Sequence, residues 1–587
     1  MGARYLIVAH GGGPADRLQG AKRLLEPAGW RRALAGPGFA LWTPAARPAP
    51  VERLGATLVV AGDVWRRPGR ACVAAPDTFA ELLADWHGAY VAARPLAGGR
   101  GIEILRGPSG AMDLLAWRAS GLACAADDLR GVPSALWPDE TAIDWDVVCG
   151  FFRDPVSVWG ACALTGVRAV APGEVLAVKG GAFAARTAWR PADFVAGSND
   201  GAAPEDLVDV VTDSVAACAA AHERLLLEVS GGLDSAIVAT SLAAAGQAWR
   251  AALAVNQFAA HPESDERALA KEVCAAAGVP LACRRKPVGR FAAADFMALA
   301  DGARPAPHAT DLVRDRMLAG MAARCGATAI LTGQGGDAVF FQMPTARIVA
   351  DLVLARGPAA AFGEEAQAAA RWLRRSVWSL ARQPLRLRPA DLADAAFHPW
   401  LGARARDARA GPSHPWLKDL AEAPPGKQVQ IQALCAAQMK FGRTLRSESL
   451  AVRHPLLAQP VVELCLEIPS WRLTGGRDRG FARAAFAQRL PPRIAQRRSK
   501  GVLSILYAKR MVHSLEVVRP WLLDGVLCEA EVLDRAALEA SLTPEALLWE
   551  GQASRLAWAA ALEGWLRHWQ GRVPDAPGAE RWRRRRG

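Results

Sequence analysis

The chain has 587 residues, of which 51% are hydrophobic and 22% are charged, and its formal net charge is +13. This length exceeds one ordinary domain, and this composition excludes a largely disordered chain. No apolar run reaches 18 residues, and the first ten residues lack a basic start with a long apolar stretch, so neither a membrane span nor a signal peptide is predicted. We expect a cytoplasmic protein whose eleven scattered cysteines are reduced thiols.

The first 195 residues are predicted to form a strand-rich domain. Short apolar runs with β-branched residues and glycine boundaries recur there, namely RYLIVAH, ATLVVAG, GAYVAARPL, GIEILRG and GEVLAVKGG. Residues 190–206 are rich in Pro, Gly, Ser, Asn and Asp, which predicts a linker. From 207 onward, apolar strands alternate with alanine-rich helical segments, and this alternation indicates a parallel sheet covered by helices. Residues 345–380 and 427–450 are also predicted to be helical.

The segment LLLEVSGGLDSAIVAT at 225–240 predicts a strand, a glycine turn and a helix. Backbone N–H groups of such a turn, with the positive end of the helix, form an anion site. The residues predicted to bind phosphate here are Val229, Ser230, Gly231, Gly232, Leu233, Asp234 and Ser235. A Walker A lysine is absent and Asp234 is present, so we expect Mg²⁺ between this carboxylate and the phosphates. The alternative is an ordinary tight turn in which Asp234 caps the helix.

A second glycine turn lies in ILTGQGGDAVF at 330–340. In an open α/β sheet, both turns would lie at the carboxyl ends of strands, where ligands bind. The second group of residues predicted to contact the nucleotide is Thr332, Gly333, Gly335 and Gly336, together with Val255 of the AALAV run. We predict that Asp234 and Asp337 share one Mg²⁺.

These motifs resemble the S-G-G-x-D-S loop of ATP pyrophosphatases, which cleave ATP between the α and β phosphates. Four further segments resemble motifs of the asparagine synthetase superfamily, namely ESDERALA (263–270), TGQGGDAVF (332–340), ESLAVRHPLLAQPVVELCLEIP (448–469) and LPPRIAQRRSKG (490–501). The resemblance implies ATP and Mg²⁺ as cofactors and an acyl-adenylate intermediate. It also implies a catalytic role for Lys500, near the reacting carbonyl.

The same resemblance implies an α/β protein with two domains and a basic tail. Residues 1–195 would form an Ntn-hydrolase or glutaminase-like αββα domain, which LRGPSGAMDLLAW and VRAVAPGEVLAV also resemble. Residues 205–570 would form an ATP-pyrophosphatase domain with a parallel sheet and extra helices. The tail 571–587 ends in RWRRRRG and could contact an acidic partner. Elsewhere arginine is spread along the chain with alanine, so solvated faces explain most of the positive charge and nucleic acid is not expected as a partner.

Several positions depart from the family pattern. Working glutaminases of this type use an N-terminal cysteine, whereas this chain begins Met1-Gly2-Ala3, so we expect a degenerate glutaminase-like domain. Gln334, Ala338 and Ala458 stand where asparagine synthetases have acidic residues, which argues against ammonia and aspartate as substrates. The Tyr/Glu pair of the β-lactam-forming relatives is not expected, because the tyrosines are Tyr5, Tyr90 and Tyr507, outside the central part of the synthetase domain.

The pattern is most similar to the lasso peptide cyclases. This similarity implies a macrolactam synthetase that adenylates an Asp or Glu side chain of a short precursor peptide and joins it to the peptide's N-terminal amine. A peptide amine has a pKa of about 8, so no dedicated strong base is needed. Lys500 is expected to stabilise the oxyanion, with a solvated basic turn as the alternative. Arg453 is expected to fix neighbouring backbone, and Asp265 and Glu266 either orient the site or cap a helix.

Other functions stay open at this point. A leader-peptide-cleaving cysteine protease is a candidate partner of a lasso peptide cyclase. The alternatives with the same fold are an asparagine synthetase-like amidotransferase and a small-molecule cyclising amide synthetase. A tRNA-modifying ATP pyrophosphatase is the alternative from another class, and it would need an RNA-binding stripe.

Overall fold

The structure, a computed structural model, combines an N-terminal unit of antiparallel strands with a C-terminal unit built on a parallel sheet. The residues it describes are 3–10, 16–67, 75–96, 101–158, 160–195, 200–259, 265–308, 310–382, 398–408, 414–418, 420–497 and 504–573. The change from one kind of sheet to the other falls within the predicted linker region. The predicted α/β fold class is confirmed.

The N-terminal unit contains two antiparallel sheets. Its strands are β1 (Leu6–His10), β2 (Trp30–Gly36), β3 (Phe39–Pro44), β4 (Val51–Leu54), β5 (Leu58–Arg66), β6 (Trp86–Pro95), β7 (Gly101–Arg106), β8 (Leu115–Ala119), β9 (Leu122–Ala126), β10 (Val167–Ala169), β11 (Glu174–Lys179) and β12 (Ala182–Thr187). The order is β10-β8-β9-β1-β3-β2 in one sheet and β12-β11-β7-β6-β5-β4 in the other. The helices of this unit are α1 (Asp16–Leu25), α2 (Phe79–Asp85), α3 (Trp145–Arg153) and α4 (Pro155–Val158).

The two antiparallel sheets face each other across one apolar core. Alternate side chains of the strands meet there, including Ile7 from the first sheet and Val59, Val91 and Ile104 from the second. Helix α3 packs on the outer face of the first sheet, and α2 packs on the outer face of the second, against helices of the C-terminal unit. The resulting order, helix, sheet, sheet, helix, is the predicted αββα arrangement.

The C-terminal unit has a five-stranded parallel sheet. Its strands are β13 (Leu225–Glu228), β14 (Ala251–Phe258), β15 (Leu281–Arg285), β16 (Ala329–Leu331) and β17 (Ala451–Arg453). The order β15-β14-β13-β16-β17 means that the chain adds strands on one side of β13 and then returns to add them on the other. A topological switch point therefore lies between β13 and β16, and open α/β sheets bind ligands at such a point, beyond the carboxyl ends of the strands.

Helices surround this sheet and extend beyond it. They are α5 (Pro204–Ala220), α6 (Leu233–Ala244), α7 (Arg267–Ala277), α8 (Ala293–Met297), α9 (Leu312–Cys325), α10 (Gly336–Val339), α11 (Arg347–Arg356), α12 (Glu364–Leu373), α13 (Val377–Ala381), α14 (Ala403–Asp407), α15 (Pro415–Lys418), α16 (Pro425–Gln438), α17 (Gln459–Glu467), α18 (Ser470–Thr474), α19 (Gly480–Ala485), α20 (Pro492–Ala495), α21 (Ser504–His513), α22 (Leu515–Leu523), α23 (Val526–Glu529), α24 (Arg535–Ser541), α25 (Pro544–Trp549) and α26 (Ala553–Trp569). Within the described ranges, none of these helices is long and apolar enough to cross a membrane.

One helix prediction was wrong in its length. The segment 427–450 was predicted to be helical throughout, but α16 ends at Gln438. Gly442 has a φ of +99°, which a right-handed helix does not allow. The residues after it form turns in which Arg443 and Arg446 bind carboxylates of other segments. Long-range ion pairs therefore decide the path of this stretch.

Candidate active site

The two predicted glycine turns lie against each other at the switch point. β13 and β16 are neighbouring parallel strands, so the turns that follow them leave the same edge of the sheet. A Cβ atom on Gly333 would lie 2.5 Å from the backbone nitrogen of Ser235. A Cβ on Gly336 would lie 2.5 Å from Cγ of Asp234. Contact between the turns thus requires glycine at two positions that the sequence had indicated only as nucleotide contacts.

Two serine hydroxyls hold the first turn closed. The Ser230 N–H donates to Oγ of Ser235 at 3.1 Å, and the Gly232 N–H donates to Oγ of Ser230 at 3.2 Å. Gly231 has a φ of +78°, a conformation that other residues rarely adopt. Helix α6 begins directly after Gly232, and no side chain caps it. Its first N–H groups can therefore face an anion, and the alternative in which Asp234 caps the helix is wrong.

The carboxylates of Asp234 and Asp337 bind the same nitrogen atom. Nη1 of Arg479 lies 2.8 Å from Oδ2 of Asp234 and 2.6 Å from Oδ1 of Asp337. Two atoms at those distances from one nitrogen can be at most 5.4 Å apart. The two acidic side chains therefore converge, and the guanidinium of Arg479 lies between them.

Arg479 belongs to this candidate site, and sequence reasoning missed it. It is 4% exposed and has a φ of +53°, which is uncommon for a residue with a side chain. Nη2 of Arg479 also pairs with Asp478 at 2.9 Å. Burial alone would lower the pKa of Arg479, but its pairing with Asp234 and Asp337 raises that pKa above the usual value, so the guanidinium stays charged. The signal in the sequence was the charged run RDRG at 477–480.

The carboxylate pair fits a shared Mg²⁺. Arg479 places one positive charge beside these two carboxylates. Carboxylate oxygens are suitable ligands, and Mg²⁺ in nucleotide sites commonly takes one or two of them plus phosphate oxygens and water. Among the described residues, no cluster of three or more His, Cys, Asp and Glu side chains could hold a metal by itself. Phosphate oxygens or water molecules would therefore complete the coordination of an ion at Asp234 and Asp337.

The remaining predicted nucleotide contacts surround these turns. The side chains of Val229, Leu233 and Val255 are buried in apolar cores and do not face a ligand. The Val229 N–H donates to the carbonyl of Val255 at 3.0 Å. The hydroxyl of Thr332 lies 2.6 Å from Nδ1 of His454. Burial, with Arg446 nearby, lowers the pKa of His454 to about 3, so its imidazole is neutral.

Lys500 lies outside the described residues, but the chain before it is attached to the first turn. Nη1 of Arg497 donates to the carbonyl of Gly231 at 3.1 Å and pairs with Oε1 of Glu266 at 2.6 Å. Glu266 directly precedes helix α7, so its pair with Arg497 joins the start of that helix to the segment before Lys500. Among the described residues, Asp265 pairs locally with Arg267. Of these two acidic residues, Glu266 is therefore the one that Arg497 connects to the first glycine turn.

The three positions that differ from the acidic residues of asparagine synthetases have uncharged side chains. Ala338 and Ala458 are buried methyl groups. The Gln334 side-chain amide donates to the carbonyl of Ala437 at 3.4 Å. The Arg453 side chain pairs with Asp63, and its backbone carbonyl accepts the Thr332 N–H at 3.1 Å.

The position of Tyr507 late in the chain did not indicate which residues its side chain contacts. Its hydroxyl lies 3.0 Å from Nζ of Lys286 and 3.1 Å from Oδ2 of Asp311. Lys286 directly follows β15, so the fold brings Tyr507 to the carboxyl edge of the parallel sheet. A tyrosine late in the sequence thus reaches a carboxylate of the C-terminal unit.

Comparison with known proteins identifies a family. The family model described as asparagine synthase matches residues 206–567. No curated protein matches the chain. A solved structure described as the allosteric regulatory enzyme of purine biosynthesis is 12% identical over 50% of this chain and 77% of its own, with a TM-score of 0.18. Glutamine phosphoribosylpyrophosphate amidotransferase from B. subtilis is 13% identical over 57% and 76%, with a TM-score of 0.17.

Proposed function

We propose a specific reaction for this chain, which belongs to the asparagine synthase family of ATP-dependent amide-forming ligases. In this reaction a carboxylate of the substrate attacks the α-phosphorus of ATP, and the bond to the bridging oxygen of the β phosphate breaks. Pyrophosphate leaves and an acyl-adenylate remains. An amine then attacks the acyl carbon, an amide forms, and AMP leaves. The observation that carries this proposal is the convergence of Asp234 and Asp337 beside the first glycine turn.

Each part of the site has a task in the proposed reaction. The N–H groups at the start of α6 and the hydroxyls of Ser230 and Ser235 would hold the departing pyrophosphate. Asp234 and Asp337 would hold Mg²⁺, which neutralises charge on the phosphate oxygens. Arg479 would keep these two carboxylates oriented before ATP binds. Lys500 would stabilise the oxyanion formed when the amine attacks.

We propose a short precursor peptide as the substrate, with an Asp or Glu side chain as acceptor and the peptide's own N-terminal amine as nucleophile. The uncharged Gln334, Ala338 and Ala458 support this choice, because an ammonium ion would gain little from them. A peptide α-amine is partly neutral near pH 8 and needs mainly to be held against the acyl carbon. The product would be a macrolactam, as made by lasso peptide cyclases. A leader-peptide-cleaving cysteine protease is the proposed partner.

We also propose that the N-terminal unit is a degenerate glutaminase-like domain that supplies no ammonia from glutamine. Asp63 lies in AGDVW, the segment that resembles the glutamine-binding motif of the family. Its carboxylate forms an ion pair with Arg453 of the C-terminal unit. A carboxylate engaged in this way is poorly placed to hold glutamine, which supports an amine source other than glutamine.

The products of ATP test the adenylation step. The chain is incubated with Mg²⁺, radiolabelled ATP and a synthetic peptide that has a free N-terminal amine and an Asp or Glu side chain, and the nucleotides are separated by chromatography. We expect AMP and pyrophosphate, with loss of turnover in Asp234→Asn and Asp337→Asn. Asp200→Asn is a suitable control, because Asp200 pairs with Arg356 on the surface. Formation of ADP, or full turnover in either active-site variant, contradicts the proposal.

The amide-forming step is tested separately at Lys500. We expect Lys500→Ala to form the acyl-adenylate, which hydroxylamine traps as a hydroxamate, but to yield at least 100-fold less cyclic peptide. Lys509→Ala is the control, because Lys509 is an exposed lysine on the following helix. Mass spectrometry distinguishes the cyclic product by its loss of one water. Wild-type cyclisation by Lys500→Ala would remove this residue from the mechanism.

A further inference from the structure

An ion pair connects the N-terminal unit to the strand beside the second glycine turn. Oδ2 of Asp63, in β5, contacts Nη2 of Arg453, the last residue of β17. The side chains are only 15% and 12% exposed, so water screens the pair weakly. The two residues are 390 positions apart in the chain. The contact therefore joins a strand of one unit directly to the sheet of the other.

Strand β17 has limited support of its own. It consists of three residues and lies at the edge of the parallel sheet, where it pairs only with β16. Its three residues also line a cavity of about 140 Å³ between the two units. Short edge strands with one partner are held weakly by the sheet itself. An ion pair at the end of this strand can therefore influence its position.

The end of β17 positions the second glycine turn. The carbonyl of Arg453 accepts the Thr332 N–H at 3.1 Å, and His454 lies 2.6 Å from the Thr332 hydroxyl. Gly333 comes next and lies directly against Ser235 of the first turn. A displacement at Arg453 would therefore reach the contact between the two turns.

We propose that Asp63 is a positioning residue for the phosphate site: through Arg453 it holds Thr332 and the second glycine turn against the first. The N-terminal unit would then serve adenylation as a support. This inference rests on the proposed function, because it assumes that the turns bind the phosphates of ATP. It assigns to Asp63 a role that needs no bound glutamine.

The test compares binding of ATP with binding of AMP, each with Mg²⁺, by isothermal titration calorimetry. AMP lacks the phosphates that the two turns are proposed to hold. We expect Asp63→Asn and Arg453→Gln each to weaken ATP binding by about 10- to 100-fold, the range for supporting residues, and to leave AMP binding unchanged. The double variant should be no weaker than either single variant, because both remove one interaction. Arg453→Lys, which keeps the charge, should recover part of the affinity.

A matched control is Arg130→Gln. Arg130 pairs with Glu448 across the same interface at 3.1 Å, and its side chain is 14% exposed. We expect it to bind ATP like the wild type. Wild-type ATP affinity in Asp63→Asn, equal weakening of ATP and AMP, or equal weakening in Arg130→Gln overturns the inference. Failure of the proposed function looks different: the wild type itself would not prefer ATP to AMP, and Asp234→Asn would bind ATP normally.

Discussion

Arg479→Gln tests whether one cation holds Asp234 and Asp337 together. The substitution removes the positive charge between two carboxylate oxygens that are at most 5.4 Å apart. At an effective dielectric constant of about 20, two unit charges at that separation repel by about 3 kcal/mol. The Asp337 side chain is 43% exposed, so water screens part of this repulsion. We expect a net destabilisation of about 1 to 2 kcal/mol in the absence of metal.

Magnesium should reverse this effect if the site is the proposed one. A ligand that binds only the folded protein stabilises it by about 2.7 kcal/mol at 100 times its Kd. We therefore expect Mg²⁺, without nucleotide, to raise the thermal unfolding midpoint of Arg479→Gln more than that of the wild type. Tryptophan fluorescence measures the midpoint with and without the metal. The added stabilisation should disappear in the double variant Arg479→Gln with Asp234→Asn.

The control for this experiment is Arg483→Gln. Arg483 is as buried as Arg479 and also pairs with Asp478, but its hydrogen bonds go to Asp478 and to backbone carbonyls beyond the carboxylate pair. Its loss should destabilise the protein equally with and without Mg²⁺. If Arg479→Gln behaves like this control, then the two carboxylates do not form a cation site and the reasoning is refuted.

Two further predictions concern the contact between the turns and the stability in acid. Gly333→Ala should abolish ATP binding, because the new Cβ would lie 2.5 Å from the Ser235 nitrogen. Gly232→Ala should weaken ATP binding less than tenfold, because its Cβ would lie 3.2 Å from the Ser230 hydroxyl. Calorimetry that ranks the two variants in the reverse order contradicts the geometry. Burial, with Arg106 and Arg304 nearby, lowers the pKa of His414 to about 3. The stability that depends on the neutral imidazole is therefore complete above the unfolded pKa of about 6.5. It decreases as the pH falls toward 3, by up to about 1.4 kcal/mol per pH unit. His414→Gln should therefore lose less stability between pH 7 and pH 5 than the wild type in thermal unfolding, and an unchanged loss would show that this histidine does not titrate on unfolding.

The sequence alone determined the local elements of the site. Apolar runs bounded by glycine predicted β1, β5, β6, β7 and β11 of the N-terminal unit. The succession of strand, Ser-Gly-Gly turn and helix at 225–240 was readable because apolar strand residues, glycine and alanine-rich helix act over a few neighbouring positions. The same reasoning placed both glycine turns at strand ends, from which the convergence of Asp234 and Asp337 followed. It failed for 439–450, where distant partners set the backbone path.

Only the tertiary structure decided which distant side chains meet in and around the candidate site. Arg479 is 245 positions from Asp234, Asp63 is 390 from Arg453, and Tyr507 is 221 from Lys286. The short segments around these residues carry no sign of such partners, since strand order and the packing of the two units determine which side chains meet. Charged side chains that become buried must find opposite charges wherever the fold brings them, and local propensity does not encode that choice.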